Sequence, residues 1–200
     1  MKLILLTTDT PHHRRYAQAI HDEFPLHEIL VETQMLKPPY DTAHPFEIER
    51  EAFERALWPI PTFKTIASVS EHGTLNQASA HAALKTAKAD IALIFGTSIL
   101  HPSTLSVAAT HCLNLHGGDP QQYRGLDTHL WSIWHRDIDG LKTALHFATN
   151  PVDSGDIIGL LPIPLTPHMG LHSLRAANTE VCIQLTQKAL RSYQATAVFP

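Results

Sequence analysis

The sequence predicts an α/β protein, a mostly parallel twisted sheet with helices on both faces and an antiparallel extension at its C-terminal side. Three observations carry this expectation. Lys2–Thr7 is a short apolar run closed by Thr7-Thr8-Asp9-Thr10-Pro11, a helix-start signal. Tyr16, Ile20 and Phe24 then recur at helical spacing, Pro25 ends the helix, and Leu26–Val31 reads as a second strand. Strand, helix, strand in that order is the opening of a parallel sheet. Ala89–Gly96 is a nearly continuous apolar run closed by glycine, as expected when helices cover both faces of a strand. Thr143–Thr149 and Ile157–Leu165 flank a small-residue turn and extend the sheet on its far side, with Pro162 and Pro164 marking an edge or a chain end.

The remaining elements follow in order. Lys37-Pro38-Pro39-Tyr40-Asp41 marks a loop, and residues 44–58 read as a charged helix. Its Phe46, Phe53 and Leu57 are expected inward, and Glu47, Glu49, Arg50, Glu51, Glu54 and Arg55 outward on a solvated face. Pro59 and Pro61 break that helix, Thr62–Val69 has room for a short strand, and the Ala-rich run 74–88 forms a helix by propensity. Cys112–Leu115 reads as a buried strand, and Asp127 as the N-cap of a helix carrying Leu130, Ile133 and Trp134. A final helix carries Leu174, Ala177, Val181, Leu185 and Ala189 toward the sheet.

Composition narrows the class. With 200 residues, 44% hydrophobic and 17% charged, the chain is sized for one domain, 1–200, with a sizeable core. A formal charge of -4 argues against a general nucleic-acid binder, although a basic patch on one side stays open. Cys112 and Cys182 form no CxxC pair, so neither a disulfide framework nor a zinc ribbon is expected. Leu3–Leu6 is too short for a signal segment, and no later stretch reaches the ~18 apolar residues of a membrane span. The expectation is a soluble, cytoplasmic protein with no nucleic-acid or membrane partner. Fifteen histidines are scattered without HExxH or a Cys/His cluster, so no metal site is expected. A solvated surface is their default reading, His12, His13, His168 and His172 included.

Chemistry concentrates in Cys112–Gly125. Residues two apart on a strand share a face, so Asn114 and His116 emerge side by side at its end. An amide donates to a carbonyl oxygen that gains charge, and an imidazolium stabilises the same oxygen or passes a proton. The best third group is Asp153, in the turn Asn150-Pro151-Val152-Asp153-Ser154-Gly155-Asp156. Each also has a local reading: Asn114 capping a turn, His116 as a satisfied buried imidazole, Asp153 within an ordinary Asp-Ser-Gly turn. His146 suits a packed histidine as well as a catalytic one. Ligands in open parallel sheets sit beyond the carboxyl ends of strands, which brings the exits after Gly96 and His116 to one crevice.

Taken in order and context, Asn114-Leu115-His116, Tyr123-Arg124-Gly125, Thr143-Ala144-Leu145-His146-Phe147 and Val152-Asp153-Ser154-Gly155-Asp156-Ile157-Ile158 resemble the folate-dependent formyltransferases. The resemblance is close over roughly residues 90–165 and holds in outline elsewhere. It implies a Rossmann-like formyltransferase fold, 10-formyltetrahydrofolate as formyl donor, no metal, and N-formyl transfer to a small-molecule amine. It implies an Asn114, His116, Asp153 triad: an oxyanion held by the Asn114 amide and a protonated His116, a state favoured by Asp153. It also implies that Gly96, Thr97, Ser98, Ile99 and Leu100 hold the pterin largely through backbone groups, joined by Asn150 and Val152. A tight turn is the plain alternative for Gly96–Leu100.

Departures from the family bear on the acceptor. The glycine-bearing loop by which glycinamide ribonucleotide formyltransferases hold a phosphate is replaced by Thr8-Asp9-Thr10-Pro11-His12-His13-Arg14-Arg15. These basic or titratable residues at a helix N-terminus could hold an anion, or be a solvated helix end. After His116 the family's Pro-Ser-Leu-Leu-Pro becomes Gly117-Gly118-Asp119-Pro120-Gln121, where two glycines would open room beside His116. Asp119 could bind an amino group or start a turn, and Lys142 stands where a glycine is usual. His12, His13, Gly117, Gly118 and Asp119 are therefore the acceptor-side candidates. The chain stops soon after its last helix, without room for the further domain by which methionyl-tRNA formyltransferases grip tRNA. A small-molecule amine is the expected partner, and a homodimer stays open. Two alternatives remain: a hydrolase that gives the formyl group to water, and a non-catalytic folate-binding protein of the same fold.

Overall fold

A computed structural model describes residues 1–34 and 46–200. Seven strands among them form one sheet: β1 (Leu3–Thr8), β2 (Leu26–Glu32), β3 (Ser68–His72), β4 (Ala89–Phe95), β5 (Ala109–His116), β6 (Lys142–Phe147) and β7 (Ile157–Pro162). Their order is β3-β2-β1-β4-β5-β6-β7. The first five are parallel, and β6 and β7 extend the sheet antiparallel. This is the architecture the sequence predicts.

The helices are α1 (Pro11–Glu23), α2 (Phe46–Leu57), α3 (Ala78–Ala87), α4 (Pro102–Ala108), α5 (Thr128–Trp134) and α6 (Leu171–Thr196). β4 shows why two layers are needed. Its Ile91, Leu93 and Phe95 pack with Tyr16 and Ile20 of α1 and Val181 and Leu185 of α6. Its Ala92 and Ile94 face the other way, onto Ala80 and Leu84 of α3 and Ala108 of α4. Each large aliphatic side chain buried in this way contributes roughly 1.5–3 kcal/mol. The chain winds outward from β1 in one direction and from β4 in the other, so the switch point of the sheet lies between these two strands. α1 starts there, capped by the Thr10 hydroxyl, which accepts the His13 N–H, with Pro11 in the first turn.

Several local expectations change. The short strand expected within Thr62–Val69 starts late: Thr62 caps a 3-10 turn, Phe63–Thr65, and β3 begins at Ser68 and runs on to His72. α4 is an element the sequence hides, because seven residues give no periodicity and its buried side are only Thr104 and Ala108. In α2, Leu57 is exposed while Glu54 is fully buried, the reverse of the expected faces, because the ion partners of Glu54 come from other helices. The Lys37–Asp41 loop and the orientations of Phe46 and Glu47 lie outside the described residues. Asp127 takes the N-cap position of α5 at φ 55° without a side-chain capping bond, and the buried residues of that helix are Thr128 and Ser132, with Ile133 and Trp134 exposed. Among the described residues no helix is long and apolar enough to cross a membrane.

Candidate active site at the ends of β5 and β6

Asn114 and His116 share one face of β5, because Leu113 and Leu115 are committed to the core on the other. The antiparallel ladder then sets His146 of β6 directly opposite Asn114. Asp153 returns to this face from the loop between β6 and β7. That return depends on Gly155, where any Cβ would collide with the Phe147 carbonyl, and on a left-handed backbone at Asp153, φ 55°. For a non-glycine residue such a conformation costs roughly 1–2 kcal/mol, the kind of strain that clusters at functional sites.

Hydrogen bonds fix both imidazole tautomers. His116 Nε2 lies 2.7 Å from the Tyr123 carbonyl, which only accepts, so Nε2 carries a proton and Nδ1 faces Asp153 Oδ2 at 3.6 Å. His146 Nδ1 donates to the Phe147 carbonyl at 2.9 Å, which leaves Nε2 to face Asp153 Oδ1 at 3.5 Å. The Asn114 amide N–H donates to that same Nε2 at 3.1 Å. Two imidazoles thus present their titratable nitrogens to one buried carboxylate, a layout suited to holding and moving a proton. Burial pushes the Asp153 carboxyl up, but His146, His116 and the Gly125 N–H at 3.5 Å outweigh it and hold the group below its ordinary range. The contacts around Asp153 are longer than ordinary hydrogen bonds, as is common before a ligand draws such groups together. His146 is therefore as central as the three expected residues; its place opposite Asn114 in the register is a signal that an antiparallel pairing in the sequence could have supplied.

A cavity of about 800 Å3 is lined by chain neighbours of this group. Cys112 on the same face of β5, Phe147 and Ala148 after His146, and Asn150, Ser154 and Gly155 around Asp153 line it. Burial lifts the Cys112 thiol to about 11, so it is a small apolar wall and not a nucleophile. Asn150 lines the cavity as expected, whereas Val152 is exposed beside Asp153. The Gly96–Leu100 loop is tied elsewhere: the Ser98 N–H and hydroxyl donate to the buried Glu32 at 2.6 and 2.7 Å, Asn76 donates to the Ile99 carbonyl at 2.9 Å, and the Thr8 hydroxyl donates to the Gly96 carbonyl at 3.0 Å. Thr97 bonds locally to the Ser98 carbonyl, and Leu100 packs against the α3–α4 side of the core. The backbone groups expected to reach a ligand are in good part occupied by protein.

The acceptor-side candidates differ most from expectation. Gly117 and Gly118 do not open room beside His116. The His129 ring lies 2.8 Å from where a Gly117 Cβ would stand, and Thr128 and Tyr123 close on Gly118, which has φ +139°. His129 donates to the Lys142 carbonyl at 2.7 Å and is kept neutral chiefly by burial. Asp119 starts a turn, accepting the Gln121 N–H at 3.0 Å. His12 and His13 are buried and not solvated: His13 Nδ1 donates to the Thr8 carbonyl at 2.8 Å, and His12 lies between Thr10 and Glu54. Burial foremost, with nearby Arg175, holds both well below the ordinary histidine range. Arg14 binds Asp9 and the Ile60 and Pro61 carbonyls, and Arg15 binds Glu180. None of the four side chains at this helix end is turned to an outside anion. Among the described residues no group of His, Cys, Asp and Glu is placed to hold a metal ion.

A mostly parallel twisted sheet with an antiparallel extension and helices on both faces is the formyltransferase fold, and solved structures show that this chain has that fold. A phosphoribosylglycinamide formyltransferase from Brucella melitensis superposes with a TM-score of 0.67 at 16% identity, covering 99% of this chain and 98% of that one. The enzyme of the same name from Streptococcus pneumoniae gives 0.65 at 16% identity over 94% and 98%. HypX from Aquifex aeolicus, solved in complex with tetrahydrofolic acid, gives 0.64 at 14% identity; it covers 100% of this chain, which spans 28% of HypX. No protein-family model and no curated protein sequence matches the chain.

Proposed function

We propose that this chain transfers a formyl group from 10-formyltetrahydrofolate to a small-molecule amine. The observation that carries the reading is the cavity of about 800 Å3 lined by Cys112, Phe147, Ser154 and Gly155, close chain neighbours of Asn114, His146 and Asp153. Its size falls in the usual range for small-ligand sites. Its apolar walls at Leu105, Cys112, Phe147 and Ala148 suit a flat heteroaromatic ring, and Asn150 and Asp156 at its rim suit polar ring edges. The shared fold and the tetrahydrofolic acid held by HypX support the same ligand class.

The chain's own residues then divide the labour. Asn114 turns a second amide N–H toward the place where the formyl oxygen gains charge. His146 orients that amide by accepting its other N–H. Asp153 and the facing Nδ1 of His116 hold the proton that the attacking amine gives up, and return it to the departing folate nitrogen. Here the geometry refines the role of His116: its Nε2–H is committed to the Tyr123 carbonyl, so it acts on the proton through Nδ1 while Asn114 is the direct oxyanion donor. A second reading, delivery of the formyl group to water, is favoured by the filled space behind Gly117 and Gly118.

Calorimetric titration with a stable 10-formyltetrahydrofolate analogue tests the reading. Saturable micromolar binding is expected for the natural protein, and its loss in Thr110→Trp, which fills the cavity from an exposed strand position. Equal binding by Thr110→Trp would remove the cavity as the folate site, and no binding by the natural protein would remove the donor. With the donor bound, formate release without an amine identifies the hydrolase.

A further inference from the structure

The switch point between β1 and β4 is where an open sheet offers its ligand crevice, and the N-terminus of α1 adds the positive end of a helix. β5 lies two strands from β1, so this place is about 10 Å from the Asn114 group at a ~4.8 Å strand spacing. An acceptor anchored there by a phosphate would be within reach of the chemistry.

In this chain a buried carboxylate lies against the first turn of α1. Glu54 reaches in from α2 with 0% exposure. Its two carboxylate oxygens accept from Arg175 Nε at 2.6 Å and Nη2 at 2.7 Å, the fork geometry with which an arginine holds a carboxylate or a phosphate. Oε2 also lies 3.5 Å from His12 Nδ1, on the first turn of α1. The His13 ring closes the other side, edge-on to Phe95 with centroids 4.5 Å apart and pressed against Gly96. One carboxylate therefore joins α1, α2 and α6 beside the first turn of α1.

We propose that Glu54 is a built-in anion and the specificity-determining residue on the acceptor side: it fills the place a phosphate would take and restricts the acceptor to amines, or water, without such an anchor. The acceptor half of the statement rests on the formyl-transfer reading. The occupancy half stands on α1, α2 and α6 alone, and its test needs no folate.

The probe is inorganic phosphate, followed by calorimetry and thermal unfolding. The natural protein is expected to show no saturable binding even at tens of millimolar. Glu54→Ala, which keeps Arg175 and the α1 N-terminus, is expected to bind phosphate saturably. Its unfolding midpoint should rise by roughly 4 °C or more at hundredfold excess over the dissociation constant. A Glu54→Ala, Arg175→Met double variant should lose that gain. If Glu54→Ala does not fold, Glu54→Ser carries the same comparison with a hydroxyl beside Arg175. Phosphate binding by the natural protein as tight as by the variant overturns the proposal, and so does a folded Glu54→Ala that ignores phosphate. Failure of folate to bind would instead sink the formyl-transfer reading and leave the phosphate result intact.

Discussion

Two clusters in this molecule hold the same parts. At the start of α1, His12 and His13 meet Glu54; at the ends of β5 and β6, His116 and His146 meet Asp153. Their shortest histidine-to-carboxylate distances are alike, 3.5 Å for His12 and Glu54 and for His146 and Asp153. What differs is the remaining company. Glu54 is held by the bidentate Arg175, and burial foremost, with the Arg175 charge nearby, holds both histidines well below the ordinary range. Among the described residues Asp153 has the two imidazoles and a backbone N–H, and its neighbours Ser154 and Gly155 line the cavity. One carboxylate is already satisfied by an arginine, while the other relies on imidazoles and a backbone N–H, the arrangement that the proposed proton transfer would use.

Variants can break that contrast. The largest expected effect is on stability: Arg175→Met leaves the buried Glu54 without its ion partner and should cost about 3 kcal/mol, read from the urea midpoint. An unchanged midpoint would mean that Glu54 is not held as an ion pair. Next is turnover in Asp153→Asn, expected to fall ~100-fold or more while the unfolding midpoint moves little. Undiminished transfer by that variant would take Asp153 out of the chemistry. His146→Gln should lower turnover by about 10-fold, the worth of one well-placed hydrogen bond, by releasing the Asn114 amide; an equal loss of stability would make His146 a packing residue only.

The smallest effects near neutral pH sharpen the contrast by their sign. His12, His13 and His129 have depressed values when folded, so below their unfolded value of about 6.5 the unfolded chain takes up protons that the folded one refuses, and stability falls with acidification. Asp153 is depressed too, but for a carboxyl this contributes stability above its unfolded value of about 3.9, lost only as pH falls further. Unfolding midpoints against pH should show a first decline starting below about 6.5 that flattens in His12→Gln, and a later one that flattens in Asp153→Asn. A single decline below pH ~4 would show that the α1 histidines are not buried neutral.

How far the sequence discloses all this depends on how local each cause is. β4 and β5 are legible because burial on one or both faces writes itself into seven or eight consecutive residues. Asn114, His116 and Asp153 are legible because strand parity and one acidic turn put them together, and the resemblance to formyltransferases adds their order. Glu54 is not legible: its partner Arg175 is 121 residues away, and within α2 it looks like one more solvated acid. Gly117 and Gly118 read as open space because nothing nearby in sequence says that His129 and Thr128 fill it. The buried His12 and His13 read as surface for a similar reason, since α2 and α6 cover them from afar.

The direct pairing of Asn114 with His146 across the β5–β6 ladder has a consequence for how such a chain can change. The ladder serves as a ruler: it sets the amide and the imidazole opposite each other through backbone bonds, whatever the chain does between His116 and Lys142. That excursion, with its rebuilt Gly117–Gln121 stretch and α5, hangs outside the measured part. Its surface is free to be rewritten, in length as well as in residue type, while the spacing of Asn114 and His146 stays as the sheet dictates.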